Sequence, residues 1–164
     1  MVNETVSDWL LIAAGMEPEG ARTMYKRILL PVDVGQQPTW ERALPSAVEM
    51  AERHAAGLTV MTVVPDFGSS LVAGYFPEGF EEKATDHARR ELEQLVAREV
   101  APSLQCDLLV AHGRIWQEIC EAARKVDADL IVMASHKPSF SDILLQPNAS
   151  QVLHHAPISV LIVR

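Results

Sequence analysis

Ser135, His136 and Lys137 put a hydroxyl, an imidazole and an ammonium in three consecutive positions, with Pro138 stiffening the backbone beside them. Such a set could begin a hydrolytic site or hold an anion. Hydrolysis needs a nucleophile and a base brought within hydrogen-bond reach by a fixed geometry. Neighbouring side chains rarely provide it, and no GxSxG elbow accompanies these residues. Anion binding asks only for donors and positive charge. The surrounding pattern favours it, because Leu130-Ile131-Val132-Met133 reads as a buried strand, the loop comes next, and a helix is expected near Asn148 to His155. In α/β proteins a phosphate is held where a strand passes through a loop into a helix N-terminus. The loop departs from that pattern in one respect: it contains no glycine.

The other chemistry-bearing residues have plainer explanations. His154 and His155 are adjacent, and on a helix they point about 100° apart, which does not chelate a metal without further ligands. Glu78, Glu81 and Glu82 lie at an expected helix start, where acidic side chains are favoured by the helix dipole. Cys106 and Cys120 fall in a strand and a helix with no CxxC spacing, which reads as two reduced structural thiols. Neither a GxxxxGK[ST] loop nor a GxGxxG fingerprint is present.

The elements that must position these residues can be read from periodicity. Arg27 to Val32 is a continuous apolar run ended by Asp33, as a strand buried on both faces requires. Glu41 to Ala55 carries Ala43, Leu44, Ala47, Val48 and Ala51 at helical spacing, with Gly57 as the expected stop. Leu58 to Val64 is a second strand, and Asp66 to Gly79 a Gly- and Ser-bearing excursion at its end. A helix is expected over about Phe80 to Val100. Leu108 to Ala111 gives a third strand, a stripe from Ile115 to Val126 a helix, and Val160 to Val163 the last strand. Strands alternating with helices imply right-handed crossovers and a parallel five-stranded sheet in a three-layer α/β/α sandwich.

With 164 residues the chain accommodates one domain with a complete core. A net charge of −8 and a pI near 5.2 argue against a nucleic-acid surface. Trp9 to Met16 is too short to span a bilayer, and no secretory signal is evident at the N-terminus, so a cytoplasmic location is expected. Residues 1–23 differ in character from the rest of the chain. Two explanations stand: a short helix that docks on the domain or a partner, or an upstream extension with Met24 as the effective start.

At Met24-Tyr25-Lys26-Arg27-Ile28-Leu29-Leu30-Pro31-Val32-Asp33, and again at Val132 to Pro138, Leu144-Leu145 and Ala156 to Arg164, the chain resembles the universal stress protein family. The Ser-His-basic-Pro loop resembles the branch that includes the bacterial F- and G-type members. The resemblance covers residues 24–164. It implies the adenine-nucleotide α-hydrolase-like fold with strand order 3-2-1-4-5, and a homodimer joined through Val160–Val163. It also implies an ATP or AMP ligand, with no metal beyond the Mg²⁺ that a nucleotide carries.

Family members that bind ATP share a Gly-x2-Gly-x9-Gly-(Ser/Thr) pattern. Here its glycines fall on Ala134, Lys137 and Gln146, and the Ser/Thr on Pro147, with the spacing one residue shorter. A basic residue followed by proline suits the branch, so Lys137 is no anomaly. Gln146-Pro147 is the weighty departure, since Gln resists the positive φ of a phosphate nest and Pro lacks an N–H. One lost donor to a charged acceptor costs about 1.5–3 kcal/mol, or about 10- to 100-fold in affinity. The implied binding residues are Pro31 and Val32 beneath the base, Asp33 at the adenine or ribose, and Val63 as an apolar wall. Met133, Ala134, Ser135, His136, Lys137, Gln146, Pro147 and Asn148 complete them on the loop side.

Two function classes remain open: a homodimeric nucleotide-binding stress regulator, and a scaffold that has kept the fold, lost the nucleotide and regulates an unknown protein partner or transporter. An enzyme such as a slow ATPase is the least expected, because no general base, nucleophile or metal-carboxylate pair can be named.

Overall fold

The computed structural model describes residues 24–66, 80–134 and 147–164. Residues 1–23, the excursion after Asp66 and the loop over 135–146 lie outside the described residues. The described residues form strands β1 (Arg27–Pro31), β2 (Gly57–Pro65), β3 (Cys106–Gly113), β4 (Leu130–Ala134) and β5 (Ser159–Val163). Between them lie helices α1 (Ala43–His54), α2 (Phe80–Glu99), α3 (Ile115–Lys125) and α4 (Pro147–His155). Every neighbouring pair is parallel, and the sheet order is β3-β2-β1-β4-β5.

The layers arise from the two-residue period of a strand. Along β1, Ile28 and Leu30 face α1 and α2 with Leu58, Val60, Leu130 and Val132, while Leu29 faces α3 and α4 with Met61, Ile131 and Met133. Both faces are apolar because both are covered, which is why these strands read as unbroken hydrophobic runs. Ala43, Leu44, Ala47 and Ala51 make the buried stripe of α1. In α3 it is Ile119, Cys120, Ala122 and Ala123.

Most boundaries fall within one or two residues of the sequence expectation, and two of the differences have a clear physical reason. The left-handed residue that ends α1 is Ala55 (φ 48°, ψ 38°), not Gly57. Ala56 N–H reaches back to Ala51 O at 2.9 Å, so the chain has already turned before Gly57, which pairs with Arg27 at the start of β2. β3 is longer than Leu108–Ala111. Its exposed Asp107 and His112 break the apolar run, but register with β2, not hydrophobicity, sets the length of an edge strand.

One carboxylate closes the N-terminal edge of the sheet. Asp129, just before β4, accepts the backbone N–H of Lys26 (2.7 Å) and of Arg27 (3.1 Å). Arg27 in turn donates to the carbonyl and carboxylate of Asp127 at 3.1 and 3.2 Å. The starts of β1 and β4 are thereby tied together.

Candidate functional site

The cleft of this molecule originates in one residue of β1. Val32 N–H bonds to Met61 O on β2 at 2.8 Å, and Asp129 N–H bonds to Arg27 O on the opposite side. By alternation the nitrogen of Pro31 faces β4, where proline has no hydrogen to give. The β1–β4 register accordingly holds at Ile28↔Leu130 and Leu29↔Ile131, whereas β1–β2 pairing continues to Pro31↔Met61. The two central strands part at their C-terminal ends, the place where ligands bind in open α/β sheets.

A cavity of about 260 Å³ opens there, just below the usual ligand-pocket range of about 300–1,000 Å³. Its floor and walls are Pro31, Val32, Val63, Pro65, Ile115, Ile119, Met133 and Ala134; its polar groups are Asp33, Gln36, Thr39 and Asn148. Larger hollows of about 320 and 670 Å³ lie at the opposite edge of the sheet. In the larger one Arg27 pairs with Asp127, and Lys125 with Glu121 at 3.0 Å; both hollows sit away from the strand C-termini.

Of the residues singled out from sequence, Pro31, Val32, Asp33, Val63, Met133, Ala134 and Asn148 line this one cavity. Pro147 is the exposed first residue of α4, next to it. Ser135, His136, Lys137 and Gln146 lie outside the described residues. Gln36, Thr39, Pro65, Ile115 and Ile119 were not anticipated. Ile115 and Ile119 read from sequence as a helix stripe, and they serve as both core and cavity wall. The signal for Gln36 and Thr39 was available in Asp33-x-Gly35, the start of an Asx-type turn.

That turn fixes Asp33. Its Oδ1 accepts the Gly35 N–H at 3.0 Å, and its Oδ2 accepts Gln36 Nε2 at 2.8 Å. Thr39 Oγ1 accepts the Asp33 N–H at 3.1 Å and donates within the loop, lying 2.7 Å from Gln36 O and 3.0 Å from Asp33 O. Asp33 is the one charged side chain among the described lining residues, so this side of the cleft is acidic. Among the described lining residues the α4 side carries no charged side chain. Pro147 supplies no N–H there, and Asn148 offers an amide.

Other chemistry is weaker. Burial pushes the Cys106 thiol up, helped by the negative charge of Asp107, and burial likewise raises Cys120 against the opposing pull of Arg124. Both thiols are free and poorly ionised, the opposite of an activated nucleophile. Among the described residues no cluster of three His, Cys, Asp or Glu could hold a metal ion. His154 and His155 are exposed, and the His155 ring rests on Trp116 with centroids 4.4 Å apart.

This fold and cleft have clear relatives. The universal stress protein family profile matches residues 24–164. The chain belongs to the universal stress protein family. Universal stress protein G of Shigella flexneri is 31% identical over 143 residues, which is 86% of this chain and all of that protein. Among solved structures, universal stress protein UspA from Lactobacillus plantarum superposes with a TM-score of 0.60 at 29% identity, covering 85% of this chain and 98% of that one. A universal stress protein from Archaeoglobus fulgidus in complex with dAMP gives a TM-score of 0.63, covering 86% and 99%. At 20% identity that last likeness speaks to the fold alone. In keeping with its Ser-His-basic-Pro loop, this universal stress protein is similar to the G-type members. Among its described residues no helix is long and apolar enough to cross a membrane.

Proposed function

We propose that this universal stress protein is a cytoplasmic regulator that binds AMP or ATP without turning it over, and that its phosphate contacts are weakened. The observation that carries this is the cleft made by the parting of β1 and β4: a cavity of about 260 Å³ with apolar floor and walls, edged on one side by the fixed carboxylate of Asp33. A planar base fits between Pro31, Val32, Val63 and Met133, and ribose hydroxyls suit the Asp33 acceptors. Phosphates then extend toward α4 and the 135–146 loop, where Ser135, His136 and Lys137 would offer donors. Lacking an N–H, Pro147 removes one donor from the helix start. The dAMP complex of the Archaeoglobus relative is an instance of an adenine nucleotide held by a protein of this fold.

The second reading, a scaffold without nucleotide, is favoured by that same Pro147. Calorimetric titration of AMP and ATP, with acid extraction of the purified protein, separates the two. Binding in the micromolar to millimolar range supports nucleotide sensing. No heat and no extracted nucleotide at millimolar concentration leaves the scaffold in its place.

We further propose a homodimer through β5. It is an edge strand of the sheet, its Leu161 is 37% exposed, and an uncovered apolar edge invites pairing. Light scattering should give twice the chain mass, and a monomer at high concentration would overturn the dimer.

A further inference from the structure

Four backbone N–H groups of the loop after β1 are spent inside it. Asp33 N–H goes to Thr39 Oγ1 at 3.1 Å, Gly35 N–H to Asp33 Oδ1 at 3.0 Å, Gln36 N–H to Asp33 O at 3.0 Å and Thr39 N–H to Gln36 O at 2.9 Å. The single Thr39 hydroxyl proton is spent on Gln36 O or Asp33 O. An ionised carboxylate only accepts, so the amide group of Gln36 that meets Asp33 Oδ2 at 2.8 Å must be its NH₂. Gln36 Oε1 therefore faces away from Asp33. What the three side chains of this loop that line the cavity have left to offer a ligand is mostly acceptors: spare lone pairs on both Asp33 oxygens, Gln36 Oε1 and one lone pair of Thr39, against a single remaining Gln36 amide proton.

Asp33, Gln36 and Thr39 all line the cavity. An acceptor rim repels phosphate and rewards a ligand group that presents two protons side by side. A vicinal diol does this, and a 2′-deoxyribose does not. Resting on the proposed nucleotide function, we infer that Gln36 is a positioning residue that holds the Asp33 carboxylate toward a ribose cis-diol, so that the cleft selects ribonucleotides over 2′-deoxyribonucleotides. Gln36 acts through its Nε2 bond: without it, Asp33 keeps the Gly35 contact alone, and its free oxygen can rotate toward solvent.

The test is calorimetric titration of AMP and 2′-deoxyAMP into the full chain and into Gln36→Leu and Gln36→Glu, with thermal melts to confirm folding. The expected result is a preference for AMP of about tenfold in the unaltered protein. In both variants it should fall to about twofold or less, chiefly through weaker AMP binding, with 2′-deoxyAMP nearly unchanged. A merely structural role would weaken both nucleotides alike, and that outcome overturns the inference. Equal affinities in the unaltered protein overturn it too, while leaving nucleotide binding intact. If neither nucleotide binds the unaltered protein, the nucleotide reading itself falls, and the diol selection with it.

Discussion

Asp33 and Asp129 stand at opposite edges of the same sheet and use the same chemistry to different ends. Both are carboxylates that accept backbone N–H groups. Asp129 reaches across a gap of more than a hundred residues to Lys26 and Arg27, joining β4 to β1. Asp33 takes its N–H from Gly35, two residues away, and a side-chain amide from Gln36, three residues away. Long-range bonds of the first kind hold strands together. Local bonds of the second kind shape a loop and leave lone pairs over. The sheet is tied shut at its N-terminal edge and open at the other, because Pro31 has no N–H to offer β4 where Asp33 begins its turn. Function is expected where the carboxylate is not needed for strand pairing.

If that division is right, removing Asp129 should have the largest effect on stability and almost none on ligand. Asp129→Ala removes two charge-assisted bonds that tie distant strands at a solvent-exposed edge, and a loss of about 1–2 kcal/mol is expected from urea unfolding. Nucleotide affinity should be unchanged below the transition; a comparable loss of affinity would break the distinction between the two edges.

The next largest change is expected on the phosphate side. Replacing Gln146-Pro147 by Gly-Ser restores a permissive backbone, an N–H and a hydroxyl, and ATP should bind at least about tenfold tighter by calorimetry. Unchanged affinity would mean that the helix start contributes nothing to phosphate binding.

A smaller shift, confined to ligand, is expected at the open edge. Asp33→Asn should weaken AMP about fivefold while moving the unfolding midpoint by less than about 0.5 kcal/mol, because an exposed local turn adds little to global stability. A large drop in stability would place Asp33 with Asp129.

The smallest effect is a gain. Ala55 ends α1 at φ 48°, a conformation glycine adopts more freely, so Ala55→Gly should stabilise the protein by about 0.5–1 kcal/mol without touching AMP affinity. A loss would show that the turn into β2 depends on the Ala55 side chain.

Much of this architecture was legible in the chain alone. Arg27 to Pro31 and Leu130 to Ala134 are apolar at nearly every position because both sheet faces are covered, so their strand character is written locally. The stripes of α1 and α3 are equally local, since a helix buries one face in every 3.6 residues. Errors fell where neighbours decide. The end of α1 passed to Ala55 because the chain had to turn in time for Gly57 to meet Arg27, and β3 grew past its apolar run because β2 lay alongside for its full length.

In the candidate site, residue types near Asp33, Val63 and Met133 were visible in sequence, as was the missing glycine before α4. By itself the sequence determined the order of elements, their buried faces, and a proline at the two positions that matter, Pro31 and Pro147. Tertiary structure alone decided that the neighbours β1 and β4 part after Leu29, and that Ile115 and Ile119 close the cavity those strands open. It also decided that Gln36 turns its amide onto Asp33. Periodicity reports what a residue does to its own element. Which group it meets across a crossover depends on pairing between segments far apart in the chain, and that is set only when the sheet is assembled.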